Sequence, residues 1–258
     1  MDLNLKDKRF LVCGATSGFG GAVAQNLLAE GAKIIAVARD KEKLFELQSL
    51  NKKNVTIYSG DLTRDNTIHE LASKTDFSEL QGALINAGGP PAMKFEETKI
   101  DDWDAAYQTL IRWKVLITKK LIPVFRKNKY GRMLFIESAS VKQPIENLVL
   151  SNSLRMAVVG MVKSLSQDLI HEGVTLNILA PGYHETQAVK RLITKKAKNG
   201  GMDYDVAKQK IESGIPAGKM GFPDDLGSLA TWLLSEKSGY ISGQTISIDG
   251  GMIRSVFG

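Results

Sequence analysis

A glycine-rich stretch near the start of the sequence decides the fold: Gly14-Ala15-Thr16-Ser17-Gly18-Phe19-Gly20. It follows the apolar run Phe10-Leu11-Val12-Cys13 and precedes an alanine-rich segment. Glycine has no Cβ, so a strand can turn sharply into a helix here and the backbone can approach a phosphate closely. The N-terminus of the following helix offers unpaired N–H groups and the positive end of its dipole to that anion. The stretch therefore predicts a dinucleotide-binding turn, with a purely structural turn as the alternative.

Short apolar runs alternate with helical segments along the rest of the chain. The runs are rich in Val, Ile and Phe and lack polar alternation, which is typical of strands buried on both faces of a parallel sheet. We therefore predict an α/β fold, a single-domain Rossmann-type doubly wound parallel sheet of about seven strands flanked by helices on both faces. The predicted strands are Arg9–Val12, Lys33–Ala38, Asn54–Tyr58, Ala83–Asn86, Gly131–Ile136, Thr175–Leu179 and Thr245–Ile248. The predicted helices are Gly20–Ala29, Lys41–Leu50, Thr67–Lys74, Trp103–Phe125, Leu148–His171 and Asp224–Leu234.

The chain shows no Pro/Ser-rich linker and no internal repeat, so we expect one domain over residues 1–258. The tight alternation is interrupted between Tyr183 and Gly218, where polar helix formers surround an Asn-Gly-Gly break. An insertion of this size between strands usually covers a site, so residues 183–218 are predicted to form a substrate loop or lid. Its apolar residues could face a bound acyl chain or could pack as amphipathic helices.

Composition excludes several classes of protein. Of 258 residues, 43% are hydrophobic and 24% are charged, which argues against a disordered or collagen-like chain. The single cysteine, Cys13, cannot form an internal disulfide, and its apolar surroundings predict a buried strand position. Residues 1–9 are polar and no apolar run approaches the ~18 residues that span a bilayer. We therefore expect a cytoplasmic protein.

The net charge is +6, and part of the excess is local. One basic cluster predicts either an acidic ligand or a solvated helix face; it contains Lys190, Arg191, Lys195, Lys196 and Lys198. A nucleic-acid partner is not expected, because no module of interleaved arginine and aromatic residues is visible. The three histidines lie far apart in sequence, so we expect no metal site.

Several motifs in register resemble the short-chain dehydrogenases/reductases over nearly the whole chain. The glycine stretch resembles the cofactor loop of that family, and later motifs agree in order and spacing. They are Gly60-Asp61-Leu62-Thr63, Asn86-Ala87-Gly88-Gly89, Ser138, Pro181-Gly182 and Asp249-Gly250-Gly251. Two further segments, Gly88–Pro91 and Ser138–Pro144, look like a divergent bacterial or archaeal branch that is often labelled as 3-oxoacyl-carrier-protein reductase-like.

The resemblance implies a nicotinamide cofactor and a set of residues that contact it. Asp61 and Leu62 would touch adenine, and Thr186 would hold the carboxamide. The predicted loop contacts are Gly14, Ser17, Gly18, Phe19 and Gly20, and the predicted lining of the cofactor is Asn86, Ala87 and Gly88. The resemblance also implies a homo-oligomer, a tetramer or a dimer.

The end of the second predicted strand bears on the choice of cofactor. A carboxylate at the strand end would accept both ribose hydroxyls of NAD, but that position holds Ala38, and Arg39 follows. A guanidinium can pair with the 2′-phosphate of NADP by two hydrogen bonds. We therefore favour NADP(H) over NAD(H), although Arg39 could instead stack on adenine in an NAD enzyme. Asp40 complicates this interpretation unless it caps the next helix.

The family uses Asn, Ser, Tyr and Lys for catalysis, and this chain matches only the serine, Ser138. Ser151 stands where the family tyrosine belongs, and Arg155 stands where the lysine belongs. Leu110 occupies the asparagine position. A serine hydroxyl is a far weaker acid than a phenol, and arginine does not readily release its proton. Ser138, Ser151 and Arg155 are nevertheless the predicted catalytic residues.

Two hypotheses about function remain open. The first is an NAD(P)(H)-dependent oxidoreductase, 3-oxoacyl reductase-like, that acts on a small-molecule carbonyl, alcohol or acyl thioester with an altered catalytic tetrad. Its replacement proton donor would be Tyr183, His184, or a water held by Ser138, Ser151 and Arg155. The second is a catalytically impaired dinucleotide-binding protein that acts as a sensor or an assembly subunit. We favour the oxidoreductase because an arginine in place of the lysine keeps the positive charge.

Overall fold

The strands of the fold follow the predicted apolar runs. In the computed structural model, which describes residues 1–256, they form a single seven-stranded sheet in which all paired neighbours are parallel. They are β1 (Arg9–Cys13), β2 (Lys33–Ala38), β3 (Val55–Ser59), β4 (Leu80–Asn86), β5 (Gly131–Ile136), β6 (Val174–Pro181) and β7 (Thr245–Ile248). The spatial order is β3-β2-β1-β4-β5-β6-β7, which confirms the predicted doubly wound sheet.

Helices connect the strands and cover both faces of the sheet. They are α1 (Gly18–Ala29), α2 (Lys41–Leu50), α3 (Asp65–Lys74), α4 (Ile100–Tyr107), α5 (Trp113–Asn128), α6 (Val149–Leu169), α7 (Gln187–Asn199), α8 (Tyr204–Glu212) and α9 (Pro223–Leu234). The single helix predicted over Trp103–Phe125 was wrong in one respect, since a π-helical turn at Gln108–Arg112 separates α4 from α5. Such a turn inserts one residue into the helical repeat, and the apolar spacing does not reveal it.

The central strands contribute alternate side chains to two hydrophobic layers. Leu11 and Cys13 of β1 pack into the layer beneath α3, α5 and α6, whereas Phe10 and Val12 pack into the layer beneath α1 and α9. Both faces of the central strands are therefore buried, which explains why these strands read as continuous apolar runs. The buried position predicted for Cys13 is confirmed, and burial raises the pKa of its thiol to about 12.

The segment predicted as a substrate loop forms two helices with a small core of their own. Ile193 of α7 and Ile211 of α8 pack together with Ile215, while Leu192 and Val206 are exposed. The buried isoleucines thus follow the amphipathic-helix alternative, and a role of this segment as a lid stays a prediction. The five clustered cations of α7 are all exposed, as expected for a solvated helix face. Across residues 1–256, no helix combines the length and the apolar character needed to cross a membrane.

The topology places a crevice between β1 and β4. Successive connections leave β1 towards β2 on one side, and the chain returns to the other side of β1 to form β4. In open parallel sheets, ligands bind at such a reversal, outside the carboxyl ends of the strands. The glycine-rich turn follows β1 and Asn86 ends β4, so both lie at this point.

Candidate active site

The glycine-rich turn is shaped by three glycines with different roles. Gly14 and Gly18 have φ of 71° and 54°, a conformation that other residues rarely adopt. Gly20 is constrained by space, because a Cβ there would lie 2.2 Å from the carbonyl oxygen of Gly14. The turn is tied to β2 by a hydrogen bond of 2.8 Å from the Gly14 N–H to the Val37 carbonyl. The backbone therefore passes close to itself and leaves no side chain over the crevice at these positions.

The N-terminus of α1 is free to receive an anion. Ser17 is the N-cap residue, but its side chain makes no capping hydrogen bond, and no acidic residue lies in the first turn. The first N–H groups of a helix have no partner within the helix, and they carry a partial positive charge. Ser17 is exposed at the mouth of the crevice. The predicted phosphate cradle thus has the donors and the clearance that a pyrophosphate needs.

The loop after β6 forms the opposite wall of the crevice. A Cβ on Gly18 would lie 3.8 Å from the Thr186 methyl carbon, so the glycine turn and Thr186 face each other closely. The Thr186 hydroxyl accepts a hydrogen bond from the Val189 N–H and caps α7. The Phe19 ring packs edge-on against the His184 ring, with 5.1 Å between centroids. The glycine turn, predicted to bind the pyrophosphate, and Thr186, predicted to hold the carboxamide, therefore line the same crevice.

At the other end of the crevice, the structure brings Arg39 and Asp61 near each other. Asp40 caps α2 by accepting a hydrogen bond of 3.1 Å from the Lys43 N–H, and this bond holds the pKa of Asp40 below its ordinary value. Burial alone would raise the pKa of Asp61, but hydrogen bonds from Thr63 and the charge of Arg39 lower it. The Arg39 side chain is exposed. An exposed guanidinium and an ionised carboxylate therefore stand where the resemblance places the adenosine moiety.

Leu62 and the loop after β4 complete the predicted cofactor contacts. Leu62 is partly buried and packs against the core layer beneath α3. Asn86 ends β4, and its side-chain amide donates to the Cys13 carbonyl at 3.5 Å. Ala87 is half-buried, and a Cβ on the exposed Gly88 would contact nothing within 4 Å. This loop thus presents open backbone beside the glycine turn.

The predicted catalytic serines meet through a third serine. Ser138 follows β5, and its hydroxyl oxygen accepts a hydrogen bond of 3.1 Å from the Ser140 N–H. The hydroxyl oxygens of Ser140 and Ser151 lie 3.3 Å apart, and Ser151 is buried in the first turn of α6. Ser140 was not among the predicted site residues. It connects Ser138 to Ser151 because the short helix at Ala139–Val141 turns the chain back over α6.

Arg155 lies one turn after Ser151 and is held at two points. Its Nε–H donates to the Ser151 hydroxyl at 3.1 Å, and its Nη1 donates to the Glu137 carboxylate at 2.9 Å. The other oxygen of Glu137 pairs with the ammonium group of Lys114. Arg155, Glu137 and Lys114 are all buried. The structure therefore places Ser151 and Arg155 on one face of α6, and it adds two charged residues that sequence reasoning missed.

Both missed residues had a weak signal in the sequence. Glu137 stands between an apolar strand and the predicted catalytic Ser138. Lys114 occupies a position in the helical stripe formed by Leu110, Ile117 and Leu121, all of which are fully buried. A charge on a buried face is rarely tolerated without a partner, so the sequence indicated that each of these residues is paired with an opposite charge. Nothing in the sequence indicated that they were partners of each other.

Leu110 lies in the π-helical turn, fully buried, where the family asparagine belongs. Two alternative proton donors, Tyr183 and His184, line a cavity of about 170 Å³ with Asp225 and Asp249. The His184 Nδ1 lies 3.2 Å from the Gly182 carbonyl, and burial lowers the pKa of the ring. Within residues 1–256, no hydrogen bond joins the side chain of Tyr183 or His184 to Ser138, Ser140 or Ser151. That part of the chain also holds no group of His, Cys, Asp and Glu residues able to bind a metal ion.

Comparisons with known proteins bear on the family and the fold of this chain. The family described as enoyl-(acyl carrier protein) reductase matches residues 14–253. A 3-oxoacyl-[acyl-carrier-protein] reductase, FabG, of Rickettsia felis is 28% identical over 251 residues, which cover 97% of this chain and 99% of that protein. The NADPH-dependent reductase BacG of Bacillus subtilis is 25% identical over 252 residues, which cover 95% of this chain and 97% of that protein.

Solved structures show the same fold over the full length. YwfH, described as an NADPH-dependent reductase involved in bacilysin biosynthesis, matches with a TM-score of 0.89 and 25% identity, covering 97% of this chain and 100% of that one. L-sorbose reductase from Gluconobacter frateurii matches with a TM-score of 0.93 and 24% identity, covering 99% of this chain and 100% of that one. Because the family match spans most of the sequence and the glycine turn lies where the strand order reverses between β1 and β4, this chain belongs to the short-chain dehydrogenase/reductase family of oxidoreductases.

Proposed function

We propose that the chain is an NADP(H)-dependent oxidoreductase that interconverts a carbonyl group and an alcohol on a small molecule, as 3-oxoacyl reductases do. The observation that carries this proposal is the glycine turn, which clears the crevice of side chains beside the uncapped N-terminus of α1. Thr186 closes the other side of that crevice. When bound there, the nicotinamide cofactor supplies or accepts the hydride.

Arg39 and Asp40 support NADP(H) over NAD(H). The Asp40 carboxylate is engaged in capping α2, so it is poorly placed to accept ribose hydroxyls. The guanidinium of Arg39 is exposed and can pair with a 2′-phosphate, and such charge-assisted pairs are among the stronger hydrogen bonds in proteins. The names of BacG and YwfH describe both relatives as NADPH-dependent.

The altered tetrad suits stabilisation of charge better than acid catalysis by a phenol. The hydroxyls of Ser138 and Ser151 hydrogen-bond the carbonyl oxygen of the substrate, and Arg155 supplies a permanent positive charge behind Ser151. When hydride reaches the carbonyl carbon, negative charge develops on the oxygen, and fixed dipoles and cations stabilise it. Arginine keeps its proton, so water supplies the proton through a serine hydroxyl and the alkoxide becomes the alcohol.

A second candidate function is a dinucleotide-binding sensor or assembly subunit without turnover. It is favoured by one observation, that the Ser151 hydroxyl is already engaged by Ser140 and Arg155. A hydroxyl held in this way has less freedom to bind a substrate oxygen. The two candidates differ in turnover and agree on cofactor binding.

The test measures NADPH binding and NADPH oxidation on a panel of ketones and acyl thioesters. We expect turnover on at least one substrate and a loss of about a hundredfold in Ser138→Ala, the scale of a lost catalytic hydrogen-bonding group. Ser164→Ala is the matched control, because this serine bonds its own helix on the exposed side of α6. Binding without turnover on any substrate would favour the sensor, and binding of neither NADPH nor NADH would refute both candidates.

The resemblance also supports a homo-oligomer, either a tetramer or a dimer. Tyr107 at the end of α4 and Met156 on α6 have exposed apolar side chains that such a contact would cover. Residues 183–218 would close over the substrate as a lid, using the packed pair of α7 and α8 as a rigid unit.

A further inference from the structure

Three charged side chains lie together in the interior beneath Ser151. The side chains of Lys114 and Glu137 are 0% exposed and that of Arg155 is 6% exposed. Two basic side chains share one carboxylate, so basic groups outnumber acidic groups in the cluster. Buried charges are costly unless they are paired with good geometry, which makes a cluster of this kind an unusual way to stabilise a core.

Glu137 is the centre of the cluster. One of its carboxylate oxygens accepts from Arg155 Nη1 at 2.9 Å, and the other pairs with Lys114. Its backbone N–H donates to the Leu179 carbonyl at 2.9 Å, which extends the pairing of β5 with β6 by one residue. The carboxylate is therefore held by both its backbone and its two oxygens, at the carboxyl end of the sheet.

The position of Glu137 determines the orientation of Arg155. A guanidinium is planar, so the contact of Nε with Ser151 and the contact of Nη1 with Glu137 together set its plane. The third nitrogen, Nη2, then points towards the loop after β4, where it lies 3.4 Å from the site of a Cβ on Gly89. Without Glu137, the flexible stem of Arg155 would allow the head group to turn away from both contacts.

Lys114 restrains Glu137 from the other side. It lies one turn after Leu110, on the buried stripe of α5. Burial lowers the pKa of its ammonium group, and Arg155 adds to this effect while Glu137 opposes it. Because Lys114 occupies the second oxygen, the Glu137 carboxylate cannot rotate away from Arg155 without breaking a buried ion pair.

We propose that Glu137 is a positioning residue of the active site, which holds Arg155 against Ser151 and the Asn86–Gly89 loop, and that Lys114 fixes Glu137 in that role. The effect on turnover rests on the proposed function, whereas the effect on cofactor binding does not depend on turnover. Neither residue touches the substrate in this scheme, and both act through Arg155.

A double-mutant cycle tests the proposal. We compare wild type, Glu137→Gln, Arg155→Met and the double variant for NADPH affinity by fluorescence titration and for hydride transfer in a single turnover. We expect Glu137→Gln to lower at least one of these quantities about tenfold to a hundredfold, the scale on which residues that orient catalytic groups act. In the Arg155→Met background, the same change should have less than about a twofold effect, because residues that act through one group are not additive.

Glu172→Gln is the matched control, because Glu172 is also paired with an arginine, Arg126, away from the crevice. It should leave affinity and rate unchanged. If Glu137→Gln does not fold, Lys114→Met replaces it in the cycle, since that change leaves a single ion pair between Glu137 and Arg155. The effect of Lys114→Met on affinity or rate should be smaller than that expected for Glu137→Gln, and it should likewise vanish in the Arg155→Met background.

The outcomes separate this proposal from the proposed function. Additive effects of the Glu137 and Arg155 changes would overturn the positioning role while leaving the oxidoreductase intact. Coupled effects of the two changes on NADPH affinity, in a protein without turnover, would support the positioning role and refute the proposed oxidoreductase function. A wild-type protein that binds neither NADPH nor NADH would overturn both.

Discussion

Replacement of Gly20 by alanine probes the turn on which the site depends. A Cβ at this position would lie 2.2 Å from the Gly14 carbonyl oxygen, 2.7 Å from the Gly14 carbonyl carbon and 2.9 Å from the Cys13 carbonyl oxygen. All three neighbours are backbone atoms, so no side chain can rotate away to make room. The start of α1 must therefore move relative to the end of β1.

The size of the effect follows from these distances. An ordinary contact of a Cβ begins near 3.4 Å, so the closest pair must separate by about 3.4 − 2.2 = 1.2 Å. Overpacking of this kind costs about 1–3 kcal/mol, and more when only backbone can yield, whereas alanine recovers about 1 kcal/mol of helix propensity. We expect a net destabilisation of about 2 kcal/mol, which lowers Tm by about 4–8 °C in a chain of this size. Because the displaced atoms form the phosphate cradle, NADPH affinity should fall at least about tenfold.

The assay combines thermal and denaturant unfolding with NADPH titration. The control is Gly160→Ala on the exposed side of α6, where a Cβ would meet nothing within 4 Å. That change should raise stability by up to about 1 kcal/mol and leave NADPH affinity unchanged. If Gly20→Ala were as stable as wild type and bound NADPH equally well, the proposed reason for glycine at this position would be refuted.

Two further changes test the cofactor preference and the buried histidine. Arg39→Ala should lower NADPH affinity about tenfold or more in equilibrium titrations, because it removes a charge-assisted pair. It should leave NADH affinity unchanged. An equal loss of affinity for both cofactors would contradict a role in recognising the 2′-phosphate. Burial lowers the pKa of His184 below its ordinary value of 6.5, so the unfolded chain takes up a proton that the folded chain resists. Stability should therefore fall as the pH drops below 6.5, by at most about 1.4 kcal/mol per pH unit from this group. His184→Asn should reduce that slope in denaturant unfolding between pH 7 and about 5, and an unchanged slope would assign it to other groups.

Much of the fold was predictable because it depends on local and periodic features. The run Phe10–Cys13 is apolar on both faces since alternate residues enter two core layers, and that continuous pattern indicates a central parallel strand. Asp40 was expected to cap a helix if it was not a ribose ligand, and it caps α2. The break between α4 and α5 was missed, because a π-helical turn changes hydrogen bonding without changing composition.

The sequence by itself determined the order of the seven strands, the glycine turn and the replacement of the family tyrosine and lysine by Ser151 and Arg155. These depend on residue type and spacing along the chain. Only the tertiary structure revealed that Lys114, Glu137 and Arg155 form one buried cluster and that Ser140 links the two other serines. The reason is physical: Lys114 and Glu137 are 23 residues apart on α5 and at the end of β5, and only the packing of helices on the sheet determines which buried charges become neighbours.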